Sequence, residues 1–261
     1  ALIGVTTSGR LLTLDVSGDQ RWSASFLVPG AGARLEPGNY TGLTRWPFQA
    51  AGAGGLSWSG EGNGCNTLTG SFVVEKAIYS GDVLKVVDLS FEQHCEGAAA
   101  ALKGSLHWSA YDDSPPSGPV TPIPAGLWQP TAGSLPATGN YVYLTSQSGD
   151  YIGQGATLLY TPATTPSTWI SNGPNLSLDI ANWAGKFAGG NSLTQLEPGY
   201  YAGLKRWPFH NPVKGGLSWD FEGRGCNNLN GWFAVDSVTY NGTALAEIEL
   251  RFEQHCEGLA P

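Results

Sequence analysis

Glu, His and Glu recur at alternate positions in the heptapeptide FEQHCEG, which the chain carries twice, at Phe91 to Gly97 and at Phe252 to Gly258. Successive side chains of an extended strand point to opposite faces, so Glu92, His94 and Glu96 are expected to share one face. Two carboxylates beside an imidazole can hold a metal ion or can pair an acid with a base for proton transfer. The competing possibility is a structural hydrogen-bond network. Hydrolysis asks for more, namely a nucleophile or second base converging from other elements. The other repeated ionisable residues are Glu36, Arg45 and Glu61 with their partners, and they do not supply a nucleophile together with its base. No nucleophile elbow, paired-histidine motif or cofactor fingerprint occurs. The expectation is a chain that is not an enzyme and uses no cofactor and no metal. Glu92, His94, Glu253 and His255 are its candidates for contacting a ligand.

A second repeated motif is RWPF, at Arg45 to Phe48 and Arg206 to Phe209. Arginine against tryptophan can form a cation–π pair, and an exposed Trp46 or Trp207 could stack on a sugar ring. Trp58 and Trp219 could serve in the same way. The plainer expectation is that RWPF plugs the end of a β domain. The third motif, E-G-x-G-C-N-x-L-x-G from Glu61 and from Glu222, reads as a tight turn or bulge beside a cysteine. It is not a phosphate loop, because no Lys-Ser/Thr follows it.

These motifs belong to a duplication. Residues 35–97 and 196–258 align without a gap at an offset of 161, with 36 of 63 positions identical. Upstream, LSLDI at Leu176 matches LTLDV at Leu12, and Trp183 and Phe187 match Trp22 and Phe26. The second copy is preceded by an alternating hairpin, Tyr141 to Tyr160, with no counterpart before Ala1. The first copy continues past FEQHCEG into an alternating run, Ala101 to Tyr111, that the second does not reach. The domains are therefore placed at 1–112, lacking a starting hairpin, and 139–261, lacking a closing strand. Residues 113–138 form a proline-rich, semi-stiff linker. Leu127 and Trp128 are apolar for such a segment and suggest that it docks.

Strand-like runs fill nearly the whole chain, with Gly, Asn and Asp at the breaks and no sustained helical period. The predicted class is all-β: two tandem homologous antiparallel sandwiches or flattened barrels. Cys65 and Cys95 are separated as Cys226 and Cys256 are, and pairing within each copy is the only arrangement that serves each domain independently. Closing such a loop is worth roughly 3 kcal/mol on the chain-entropy model. Disulfides imply an oxidising compartment. Reduced buried thiols are the alternative.

Charged residues make up only 13% of the chain, against about 25% in ordinary soluble domains. The net charge of −8 argues against nucleic acid and anionic membranes as partners. No apolar run is long enough for a membrane span. Absence of methionine and a start at Ala1 fit a mature secreted product.

With RWPF, GCN-x-L-x-G, FEQHCEG and the GDYIGQG hairpin preceded by LWQP, the repeat resembles tandem modules of secreted bacterial proteins. That resemblance implies a β fold at a bacterial cell surface or outside the cell, and carries no activity. The expected function is structural or adhesive: self-assembly, head to tail into a filament, by β-strand complementation. The first candidate donor is the N-terminal run with Leu2, Ile3 and Val5; the second is the linker run with Leu127 and Trp128. A tandem carbohydrate-binding module is the alternative, with glycans as partners. A chain trimmed from a longer protein is the third possibility.

Overall fold

The computed structural model describes residues 1–258. The chain divides into two compact units, Ala1–Pro115 and Pro116–Pro261. No α-helix occurs among the described residues.

Alternation writes the strands of unit 1. In β2 (Leu11–Ser17), Leu12 and Leu14 are buried while Asp15 faces out. Around it lie β1 (Leu2–Ser8), β3 (Arg21–Leu27), β4 (Gly38–Arg45), β5 (Gly55–Gly60), β6 (Leu68–Ser80), β7 (Val83–Cys95) and β8 (Leu102–Ser109). They form one sheet in the order β1-β2-β3-β5-β4-β6-β7-β8, which curls until β1 returns to β7. The result is a nearly closed barrel filled by Phe26, Phe72, Leu43, Leu56 and Leu89. Phe26 and Phe72 meet edge to face, the arrangement that ring quadrupoles favour. The long strands β6 and β7 bend at two register shifts, a bulge device that lets one hairpin follow the wall of the barrel. One step is parallel, a departure from the expected antiparallel pattern: β4 and β5 pair only at Thr44↔Gly55 and Arg45↔Leu56.

Unit 2 repeats this plan. Its strands β11 (Ser167–Asn172), β12 (Asn175–Ile180), β13 (Trp183–Ala188), β14 (Gly199–Arg206), β15 (Gly216–Phe221), β16 (Leu229–Asn241) and β17 (Ala244–Cys256) run in the matching order β11-β12-β13-β15-β14-β16-β17. Ahead of them, β9 (Val142–Thr145) and β10 (Thr157–Tyr160) make a separate hairpin. Its loop drives Ile152 into the unit 2 core, where the residue is buried. Within the described residues, unit 1 has no equivalent of this hairpin and unit 2 no equivalent of β8.

Each unit carries its own disulfide, Cys65–Cys95 and Cys226–Cys256, with no free thiol. The bond ties the entry of the long hairpin to its exit.

The proline-rich segment lies against unit 2. Val120 exchanges both backbone hydrogen bonds with Tyr200, at 2.9 and 3.0 Å. Pro119 sits over Gly199, where φ is +144° and an added Cβ would come within 2.8 Å of the proline, so glycine is required on both counts. Trp128 is half-buried and stacks on Tyr143 at 6.4 Å, and its carbonyl accepts a hydrogen bond from Arg251 at 2.9 Å. Leu127 is also half-buried.

The N-terminal run is β1, paired with β2 along its whole length from Leu2↔Ser17 to Ser8↔Leu11. Val5 packs on the core, while Leu2 and Ile3 stay exposed.

Candidate functional site

FEQHCEG occupies the last residues of β7 and of β17, and the structure splits its ionisable trio. Glu92 and His94 do share the outer face: Nε2 of the imidazole meets the Glu92 carboxylate at 2.8 Å, and Nδ1 faces the Ala98 carbonyl at 3.2 Å. Lys103 of β8 binds the other Glu92 oxygen at 2.8 Å. These hydrogen bonds, Lys103 first and His94 second, hold the Glu92 carboxyl below the usual carboxylate range. Glu253 and His255 repeat the pair at 2.7 Å.

Glu96 departs from the expected common face. The strand ends at Cys95, and Glu96 turns into the left-handed region at φ 55°. From there its carboxylate accepts the backbone N–H of Asn66 at 2.5 Å and the Thr67 hydroxyl at 3.0 Å. The Asn66 amide is the main reason its pKa is lowered. Glu257 does the same for Asn227 at 2.6 Å. Glu96 and Glu257 therefore latch the Gly-rich turn beside the disulfide. Among the described residues no cluster of three His, Cys, Asp or Glu could hold a metal ion.

The inner face of the same motif carries a feature that acid/base reasoning passed over. Gln93 is buried, and its amide accepts from Trp58 N–H at 2.8 Å and donates to Trp58 C=O at 3.0 Å. Gln254 clamps Trp219 identically, at 2.8 and 2.9 Å. The need arises from the two-residue parallel pairing of β4 with β5. Beyond Leu56 the edge of β5 has no strand partner on that side, and the glutamine supplies the missing donor and acceptor. Strand parity was the available signal, since Gln93 falls on the Phe91 and Cys95 face.

RWPF does not plug the barrel. A hydrogen bond from Phe48 N–H to Arg45 C=O at 2.8 Å closes a turn that brings residues 45 and 48 together. Arginine consequently pairs with phenylalanine, not tryptophan: Arg45 lies 4.9 Å from the Phe48 ring centroid and Arg206 lies 5.5 Å from that of Phe209. Both rings are solvated, Phe48 73% and Phe209 65% exposed, so neither belongs to a core. Trp46 is half-buried, whereas Trp207 is exposed, at 38%.

The repeat pair Trp58 and Trp219 diverge. Trp58 stacks on Phe91 at 5.0 Å and is half-buried. Trp219 is buried against Phe252 and Trp183, and its indole Nε1 has no hydrogen-bond partner. It lines a cleft of about 680 Å³ between the hairpin and the end of β17, together with Trp128, Tyr143, Phe252, Glu253 and His255.

No family model, curated protein or solved structure matches this chain. The internal repeat is accordingly the comparison that informs. Unit 1 shows what unit 2 leaves open: β7 pairs with β6 on one side and β8 on the other, whereas β17 pairs with β16 alone among the described residues.

Proposed function

We propose that this is a non-catalytic structural or adhesive protein of an extracellular, oxidising setting, which assembles head to tail through its open sheet edges. The single observation that carries this reading is the one-sided pairing of β17, set against the two-sided pairing of its repeat partner β7. An unpaired edge offers a row of backbone donors and acceptors to a further strand. Unit 1 offers the complementary edge at β8, which is also one-sided. Because the two edges are different surfaces, the contact is heterologous, and repetition of it extends a chain of subunits. β1, with Leu2, Ile3 and Val5, is one-sided in the same way and is an equal candidate edge, while Leu127 and Trp128 belong to the segment that lies against unit 2. The disulfides and the absence of any helix able to cross a membrane among the described residues are compatible with this setting. Lack of catalysis is read from the sequence, in which no repeated nucleophile with its base accompanies the Glu92–His94 and Glu253–His255 pairs. Sedimentation velocity and electron microscopy of the oxidised chain test the reading. Concentration-dependent linear oligomers are expected, and a monomer at every concentration refutes it.

A second reading has one observation in its favour. The partnerless indole N–H of Trp219, buried beside the cleft, is what a ligand hydroxyl would satisfy, and aromatic walls suit a sugar ring. Quenching of tryptophan fluorescence by an oligosaccharide, lost in Trp219→Phe, would establish glycan binding there.

A further inference from the structure

One cross-strand row differs sharply between the two units. Val16, Trp22 and Gly60 stand side by side on β2, β3 and β5, and the matching row of unit 2 is Ile180, Trp183 and Phe221. The glycine changes what the tryptophan does. In unit 1 the indole lies against Gly60, so close that an added Cβ would come within 2.6 Å of the ring, and the indole stays half-exposed. In unit 2 Phe221 holds the glycine's position, 4.5 Å from the Trp183 ring, with the Arg224 guanidinium 4.9 Å from the Phe221 centroid. Trp183 is buried there and donates its indole N–H to Tyr160 at 3.1 Å. Unit 2 thus covers this position with a phenyl ring and a guanidinium of its own, and unit 1 does not.

Trp22 borders a hollow of about 500 Å³ that is lined also by Asp15, Arg21, Arg45, Ser59 and Asn63. Its size and its mixture of one aromatic wall with a few polar groups are those of a small-ligand site. A flat indole suits the C–H face of a six-membered sugar ring. Serine, asparagine and aspartate offer both donors and acceptors to ring hydroxyls. Two guanidiniums stand against one carboxylate in this lining, so the hollow is locally basic in a chain whose net charge is −8. The planar fork of a guanidinium matches a carboxylate. Arg45 is steadied by the hydrogen bond that it donates to the Asn66 carbonyl at 3.2 Å, and Arg21 by its backbone N–H, which the Glu61 carboxylate accepts at 2.6 Å. Asn63 is fixed by two backbone hydrogen bonds with Gly60, at 2.8 and 3.0 Å. Unit 2 does not keep this chemistry: Asn182, Asp220 and Arg224 replace Arg21, Ser59 and Asn63.

We infer that the hollow of unit 1 is a binding site for a sugar that carries a carboxylate, a hexuronic acid unit of an acidic polysaccharide, stacked on Trp22 with its carboxylate on Arg21 and Arg45. Gly60 is required because a side chain there displaces the indole. The site lies wholly within unit 1, apart from the Trp219 cleft of unit 2, and it does not depend on the assembly reading.

Isothermal titration calorimetry of the full oxidised chain tests it, with tetramers of galacturonic, mannuronic and glucuronic acid as probes and the carboxyl-reduced form of each as its neutral match. At least one uronate is expected to bind at one site per chain, with an affinity that falls as salt rises. Its neutral match should bind at least about ten-fold more weakly, the loss expected when a charge-assisted pair is removed. Arg21→Gln, at an exposed position, should weaken uronate binding by about five-fold or more. Trp22→Leu should abolish it, and a retained melting transition of unit 1 shows that each variant is folded. No binding by any of the three uronates overturns the site. Equal binding of acidic and neutral tetramers overturns the carboxylate assignment. Binding that survives Arg21→Gln and Trp22→Leu unchanged overturns the site as well and moves the sugar to another surface, the Trp219 cleft included. None of these outcomes alters the oligomeric state, so the assembly reading stands or falls on sedimentation alone.

Discussion

Replacing Gln93 by methionine keeps the volume of the side chain and removes both prongs of its clamp on Trp58. The Trp58 N–H and C=O then point into the barrel wall with no strand beside them. An unpaired buried polar group costs about 1–3 kcal/mol, so the two together should cost unit 1 roughly 2–6 kcal/mol. For a unit of this size about 1 kcal/mol lowers the melting temperature by about 4 °C, giving a fall of roughly 8–24 °C. Differential scanning calorimetry of the oxidised full chain measures it, with Gln254→Met as the matched change in unit 2. Each variant should move one transition and leave the other in place, because the clamps lie in separate units. Gln93→Glu sharpens the test. A carboxylate accepts from the Trp58 N–H but cannot donate to the carbonyl, so its charged form is disfavoured in the fold and its folded-state pKa is raised. That variant should approach the wild type at low pH and lose ground as pH rises. If Gln93→Met melts within about 2 °C of the wild type, the clamp is not what completes the edge of β5.

Acid should weaken the latch on the Gly-rich turn. The Glu96 carboxyl titrates below its ordinary 4.5, so its contribution is present above that value and is lost as pH falls through the depressed one. The melting difference between wild type and Glu96→Gln should accordingly shrink as pH falls below the ordinary carboxylate value and close once it passes the lowered one. Gly104→Val in the intact chain should cost unit 1 about 1–3 kcal/mol by overpacking against Phe91, read as a lower denaturation midpoint in urea. Phe48→Ser and Phe209→Ser should each change stability by no more than about 0.5 kcal/mol, as solvated rings do, in the same assay.

Much of the architecture was legible because duplication prints each constraint twice. Equal cysteine spacing identified both disulfides, and alternation in LLTLDV and LKVVDLSFEQHC located β2 and β7 with their inward faces. What escaped reading had a common cause: it depends on where the chain turns, not on its period. Glu96 looked like a third strand residue until the left-handed turn after Cys95 sent its carboxylate back to Asn66. Arg45 met Phe48 in place of Trp46 because of one turn hydrogen bond. The clamp by Gln93 follows from a parallel step between β4 and β5 that no pattern within either strand announces.

The placement of each disulfide also decides how the protein would carry a load. Cys65 and Cys95 stand at the two ends of the β6–β7 hairpin, 30 residues apart in sequence. A pull transmitted along the backbone passes from one sulfur to the other and leaves the hairpin outside the tensioned path. Even with every other strand of unit 1 drawn out, roughly 100 Å of chain, at about 3.4 Å per residue, stays gathered behind the bond. Unit 2 withholds the same length behind Cys226 and Cys256. Extensibility is thus set by the redox state of the surroundings: the oxidised protein is a short tether, and a reductant lengthens it in two equal increments.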